Sequence, residues 1–201
     1  MTHHLAFKKH IEQQVQATEL LRVCRAYKAA TDGYAFELNG LLKGGLPLPD
    51  KFVVDMPFLQ RIICAKLSES ITLYRMTSNI DFSVPCADAM RGQFRYQAFM
   101  STTDEPSGLN SFVPKTGALL LKITYPAGFA LAPMDLFPGT DENEYLLGCG
   151  TTFKALDMPR VLSNTEACEY IPYYSQASLD FLRLEVVKNP PYVIDADQIT
   201  L

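Results

Sequence analysis

Residues 142–153 read Glu142-Asn143-Glu144-Tyr145-Leu146-Leu147-Gly148-Cys149-Gly150-Thr151-Thr152-Phe153. An acidic pair leads into an apolar run, a glycine turn and a second β-prone run. This spacing predicts two short strands, 142–147 and 151–156, about the turn Gly148-Cys149-Gly150. Side chains alternate faces along a strand, so Glu142 and Glu144 are expected to project together from one side. Two carboxylates opening an apolar strand are costly if buried without partners. They suit chemistry that stabilises a positive charge developing on a sugar.

Outward from this hairpin, β-branched and aromatic runs predict further strands at 71–75, 97–101, 118–125 and 179–187. Upstream the texture is helical. Leu5, Ile11, Val15, Leu20, Leu21 and Cys24 recur at helical steps over 5–32, which Asp32-Gly33 ends. Further helices are predicted at 34–42 and at 57–69, the latter opening at Asp55-Met56-Pro57. A helical lobe (1–70) followed by a β-rich part (71–201) reads as an α+β fold in one domain over 1–201. The segment from Thr102 to Gly117 is long for a connection inside a compact domain, as functional loops often are.

Three motifs stand in order: Tyr74-Arg75 ends one strand, Phe99-Met100-Ser101-Thr102-Thr103 ends another, and Glu142-Asn143-Glu144 opens a third. This arrangement resembles the arginine/serine/glutamate class of mono-ADP-ribosyltransferases, found among cholera-toxin-like and other bacterial toxin and effector enzymes. The resemblance covers about residues 71–156, and residues 1–70 fit the helical lobe that precedes the motifs in that family. It implies a split β-sandwich of short, mainly antiparallel strands, with NAD as co-substrate and no metal. The implied activity is transfer of ADP-ribose to a protein acceptor, with arginine expected because the first acidic position is Glu.

By resemblance, Arg75 grips the pyrophosphate and braces the nicotinamide ribose; a guanidinium fork suits phosphate better than any other side chain. The backbone of Met76, where the family often has Gly, meets the carboxamide. Ser101 hydrogen-bonds the catalytic carboxylate and Thr102 organises the ribose pocket. Thr103 replaces the family's third-position Ser and keeps the hydroxyl. Glu144 binds the ribose 2'-hydroxyl and favours the cationic transition state, while Glu142 meets the acceptor. In the turn Phe137-Pro138-Gly139-Thr140-Asp141, Phe137 is the candidate for acceptor recognition. In the loop after Thr103, Phe112 is expected to stack on nicotinamide and Lys115 to meet a phosphate. Two readings stay open beside transfer: an NAD glycohydrolase on the same fold, and a catalytically inactive binding module.

The bulk numbers bound the rest. The chain has 201 residues, 48% hydrophobic and 20% charged, enough for one substantial core. A formal charge of -4 argues against a nucleic-acid binder that works by neutralising phosphates. The charge is uneven: nine Lys/Arg against seven Asp/Glu in residues 1–70, nine against fifteen in 71–201. No apolar run approaches the roughly 18 residues that span a bilayer. Met1-Thr2-His3-His4-Leu5 lacks a signal-peptide pattern. The expectation is therefore secretion or injection by a signal-independent route and action in a target-cell cytosol, with a cytoplasmic protein as the alternative. Cys24, Cys64, Cys86, Cys149 and Cys168 are odd in number with no C-x-x-C, so reduced thiols are expected. His3, His4 and His10 all lie in the first ten residues, which excludes a histidine-centred hydrolase from the reading. No G-x-S-x-G, P-loop or G-x-G-x-x-G is present.

Overall fold

The computed structural model describes residues 3–29, 32–139, 142–176, 178–193 and 198–201. Four helices come first: α1 (His3–Gln13), α2 (Ala17–Lys28), α3 (Tyr34–Gly44) and α4 (Asp50–Arg61). The expected helix over 5–32 is thus two helices. The step from Val15 to Leu20 is five residues, which no single helix face continues, and Gln16 turns left-handed there (φ 64°). Val15 ends up exposed, while Phe7 and Ile11 of α1 and Leu20, Val23, Cys24 and Tyr27 of α2 are buried. The expected helix at 57–69 instead begins at Asp50, whose carboxylate suits the positive helix N-terminus. Phe52, Asp55 and Leu59 face inward at helical spacing, and Pro57 is tolerated on the exposed side.

Asp55 pins the lobe together. Its carboxylate accepts hydrogen bonds from Arg22 of α2 and from the Tyr34 hydroxyl of α3, the latter at 2.7 Å. Burial alone would raise the Asp55 pKa, but these two donors outweigh it and hold the carboxyl below its ordinary range.

The strands follow: β1 (Ala65–Lys66), β2 (Ile71–Ser78), β3 (Gln93–Arg95), β4 (Met100–Thr103), β5 (Ala118–Tyr125), β6 (Ala130–Pro133), β7 (Glu144–Leu147), β8 (Thr152–Ala155), β9 (Arg160–Leu162), β10 (Leu179–Lys188) and β11 (Ile199–Thr200). Helix α5 (Ser83–Arg91) precedes β3, and α6 (Asn164–Tyr170) precedes β10. The expected strand at 97–101 is corrected: residues 97–99 are not strand, and β4 begins at Met100 and runs on to Thr103, with β3 a separate strand upstream; a 3₁₀ helix (Pro106–Phe112) occupies the long loop. The strands run in the order β11-β1-β6-β7-β4-β2-β5-β10-β8-β3, with β9 beside β10. Pairing is parallel for β1–β11 and β5–β10 and antiparallel elsewhere, as the α+β reading expects.

Two features make this sheet a split sandwich. β2 pairs with β5 over all eight residues but with β4 only at Tyr74↔Thr103. The halves therefore part on one side of that contact. On the other side two runs of chain, 93–103 and 144–155, each pass from one half to the other. They are clasped where they cross by Tyr96 N–H to the Thr151 carbonyl (2.9 Å) and Gly150 N–H to the Tyr96 carbonyl (2.7 Å). The crossing is tight: a Cβ on Gly148 would lie 2.6 Å from the Pro190 ring and 2.5 Å from the Tyr192 hydroxyl. One on Gly150, whose φ is 93°, would lie 2.8 Å from the Arg95 guanidinium.

Both faces of β5 are covered over its first half, which explains the apolar run Ala118-Leu119-Leu120-Leu121; beyond it the half-buried Lys122 and Thr124 alternate with the buried Ile123 and Tyr125. Leu119, Leu121, Ile123 and Tyr125 enter the main core under the helical lobe. Ala118 and Leu120 join a second cluster with Met76, Leu109, Ile171 and Phe181. Burying each such leucine or isoleucine stabilises the fold by about 1.5–3 kcal/mol, so both faces hold β5 in register. Among the described residues no helix is long and apolar enough to cross a membrane.

Candidate active site

The split begins at Tyr74↔Thr103, and the next residue of β2 is Arg75. Where the ladder stops, its guanidinium takes over: Nη1 donates to the Ser101 carbonyl at 2.8 Å. The Ser101 side chain lies toward the phenol of Tyr27. Tyr27 accepts from Asn39 Nδ2 (2.8 Å), whose Oδ1 accepts from the Phe99 backbone N–H (3.0 Å). Helices α2 and α3 thus clamp the strand that carries Ser101. Burial pushes the Tyr27 phenol pKa upward, so it stays neutral as a hydrogen-bonding strut.

Next to β4 lies β7, in register Ser101↔Leu146 and Thr103↔Glu144. The threonine hydroxyls sew the two together. Thr102 Oγ1 donates to the Tyr145 carbonyl (2.7 Å), and Thr103 Oγ1 to the Glu142 carbonyl (2.9 Å). Glu144 opens β7 with its side chain 12% exposed, whereas the Glu142 side chain is 56% exposed.

The expectation that both carboxylates share one strand face is corrected here. β7 starts at Glu144, and Asn143 adopts a left-handed conformation (φ 48°), which asparagine tolerates better than most residues. The carboxylates meet for another reason. Lys28, the last residue of α2, places its Nζ 2.8 Å from Glu144 Oε2, 3.1 Å from Glu142 Oε2 and 2.6 Å from Asp135 Oδ1. Asp135 uses its other oxygen to accept from the Glu144 backbone N–H (3.2 Å). Burial disfavours the Lys28 ammonium, but Glu144 and Asp135 outweigh it and raise its pKa above that of an ordinary lysine.

Among the described residues no hydrogen bond joins Ser101 to Glu144; its side chain lies toward Tyr27. The Met76 side chain faces away into the second core cluster, leaving only its backbone for the cleft. Phe112 and Lys115 are exposed on the loop after β4. Phe137 is half-buried with the Arg25 guanidinium 4.7 Å from its ring centre. Thr140 and Asp141, in the same expected recognition turn, lie outside the described residues.

The sequence reading missed Lys28, Asp135, Tyr27 and Asn39. Nothing local marks them, since each reaches the site through tertiary packing. Two of the N-terminal histidines, read as a chain end, also dock beside it: the Asp135 N–H donates to His4 Nδ1 at 3.1 Å, and His3 Nδ1 lies 3.2 Å from the Tyr145 hydroxyl. A cavity of about 410 Å³ near Cys86, Met90 and Arg160 lies apart from all of these residues.

No protein-family model matches the sequence, and no curated protein does. Solved structures match the fold. The enzymatic component C2-I of the Clostridium botulinum C2 toxin superposes with a TM-score of 0.65 at 15% identity, over 90% of this chain and 45% of that one. Plx2a, an ADP-ribosyltransferase toxin from Paenibacillus larvae, gives 0.62 at 16% identity, over 90% of this chain and 91% of that one. BECa, an ADP-ribosylating toxin of a C. perfringens binary enterotoxin solved with NADH, gives 0.65 at 16%, over 89% and 45%. The chain spans about half the length of C2-I and BECa and nearly all of Plx2a.

Proposed function

We propose that this chain, which has the fold of the bacterial ADP-ribosyltransferase toxins, cleaves NAD at the nicotinamide–ribose bond and transfers ADP-ribose to a protein, with arginine as acceptor. The observation that carries this reading is a buried carboxylate, Glu144, opening a strand beside a sheet split that Arg75 bridges, with a second carboxylate two residues away. Support for NAD itself comes from the fold and from BECa, whose structure was solved with NADH.

The residues fit such a ligand. Arg75 has a guanidinium fork for the pyrophosphate and is already oriented by the Ser101 carbonyl. Exposed Phe112 offers a ring for nicotinamide and Lys115 a charge for phosphate. Met76 contributes backbone only. Ser101 and Thr102 fix the strand that forms the pocket wall, each tied to a neighbouring element.

Glu144 accepts a hydrogen bond from the ribose 2'-hydroxyl and stabilises the positive charge that grows on that sugar as nicotinamide departs. Nicotinamide leaves as a neutral base, so the site needs no general acid. Glu142, exposed and adjacent, pairs with the acceptor guanidinium, takes its proton and leaves a nitrogen lone pair to attack the sugar carbon. Phe137 flanks the entry for the acceptor. We read the chain as a toxin or effector that acts in another cell's cytosol; the fold neighbours are themselves toxins.

The test is incubation with labelled NAD and a cell lysate, followed by mass spectrometry of the labelled product. Labelled arginine in a protein, abolished by Glu144→Ala, is the expected outcome. Nicotinamide release without labelled protein would replace transfer by glycohydrolysis, and no release at all would leave a binding module.

A further inference from the structure

We propose that Lys28 is a positioning residue for the NAD cleavage argued above: its ammonium holds the Glu144 carboxylate in place as an anion, while its contact with the solvated Glu142 carboxylate is one that an acceptor cation can take over. The inference rests on that reading of Glu144.

Lys28 terminates α2, where a cation suits the negative end of the helix. Its side chain is only 8% exposed, as is that of Asp135, with Glu144 at 12%. The three close a ring: Lys28 to Asp135, Asp135 to the Glu144 backbone N–H, and Glu144 back to Lys28. Remove the ammonium and two buried carboxylates confront each other across this ring. Desolvation and like charge then both favour protonating one of them. A protonated Glu144 no longer stabilises positive charge on the sugar.

The other groups around Glu144 supply no replacement. Cys24 on α2 is neutral because burial pushes its thiol up to about 12, and Tyr27 is neutral for the same reason. His4 on α1 faces Asp135 as a neutral ring, accepting the Asp135 N–H at Nδ1. Glu142 adds negative charge, and Arg75 of β2 is engaged with the Ser101 carbonyl. Lys28 grips Oε2 of Glu144, and a carboxylate has a second oxygen for the ribose. Glu142 is held differently: its side chain is mostly solvated, so an incoming cation can displace Lys28 from it while Asp135 and Glu144 keep Lys28 where it is.

The competing view makes Lys28 a plug that must leave before substrate enters, and it predicts the opposite effect of removal. Nicotinamide release is measured against pH for wild type, Lys28→Met, Lys28→Arg and Glu144→Gln. In parallel, the Glu144 carboxyl is titrated by 13C NMR without NAD, its signal assigned by its loss in Glu144→Gln. The expected result for Lys28→Met is a kcat lower by at least about tenfold at neutral pH, with the KM for NAD little changed. Its acid limb and its Glu144 titration should both move up by roughly one pH unit or more. Lys28→Arg should restore most of both. If Lys28→Met does not fold, Lys28→Gln keeps a donor of similar length without the charge and carries the same comparison.

A charge-free variant as fast as wild type, or faster, overturns the proposal. So does a slower one whose acid limb and Glu144 titration stay where they were. Wild-type turnover by Glu144→Gln would instead overturn the underlying reading of Glu144, and the NMR titration separates the two cases because it needs no turnover.

Discussion

Arg75 and Ser101 are joined across the parting strands: the guanidinium of one donates to the backbone carbonyl of the other at 2.8 Å, just past the last residue pair of β2 and β4. The arginine thus stands in for a missing ladder bond with one nitrogen of its fork. Arg75→Lys keeps a charge and one donor but loses the planar fork. The KM for NAD should rise about tenfold or more, with a melting temperature close to wild type. Arg75→Ala removes the charged bond to Ser101 as well, worth about 1.5–3 kcal/mol, and should also lower the melting temperature. Unchanged NAD affinity in Arg75→Lys, measured by calorimetry, would remove Arg75 from the binding site.

Glu144→Gln keeps the shape of the side chain and discards its charge. Loss of one electrostatic stabiliser of a transition state typically costs about 10²–10³ in kcat. Nicotinamide release should fall by that order, with the melting temperature within a few degrees of wild type. A rate within threefold of wild type would mean that another group stabilises the sugar cation.

Glu142→Gln should separate two activities. Its backbone stays fixed by the Thr103 hydroxyl, so the turn is retained. Labelling of protein should fall by more than tenfold, while hydrolysis of NAD keeps at least a third of its rate. Equal loss of both would show that Glu142 serves NAD cleavage rather than the acceptor.

His4 makes stability depend on pH. Burial holds its imidazole neutral and its pKa below the ordinary 6.5, against the pull of Asp135 and Asp104. The Nδ1 lone pair is committed to the Asp135 N–H, which fits a neutral ring better than a paired cation. Between the folded and unfolded values the unfolded chain binds the proton, so this contribution is complete above about pH 6.5 and is lost as pH falls below it. Wild type should melt lower at pH 5 than at pH 7.5, and His4→Asn, whose amide oxygen can take the same N–H, should narrow the gap. Equal gaps in the two proteins, read by thermal denaturation, would discard this role.

Much of the β architecture was legible because its strands carry their own pattern. The apolar run at 118–125 matches β5 residue for residue, and 71–75 and 179–187 lie within β2 and β10. The α+β layout followed from them, and the order of the three motifs pointed to a fold that the solved structures share. Helix α6 announced itself without being read: Ser163 and Glu166 form a reciprocal capping box, a signature visible in the sequence. Asn143 was also a clue, since its residue type tolerates the left-handed turn that delays the start of the expected strand by two residues. Lys28 offered no such clue. It sits 116 residues from Glu144, and only the docking of α2 on the sheet brings them together.

The clasp between the two half-sheets has one more consequence. Gly148 and Gly150 set how the crossing runs pack, and they do so with backbone alone. The set of one half-sheet against the other is therefore held at this joint by main chain. Side chains elsewhere on the two half-sheets can thus be exchanged during divergence without loosening the joint that sets them against each other.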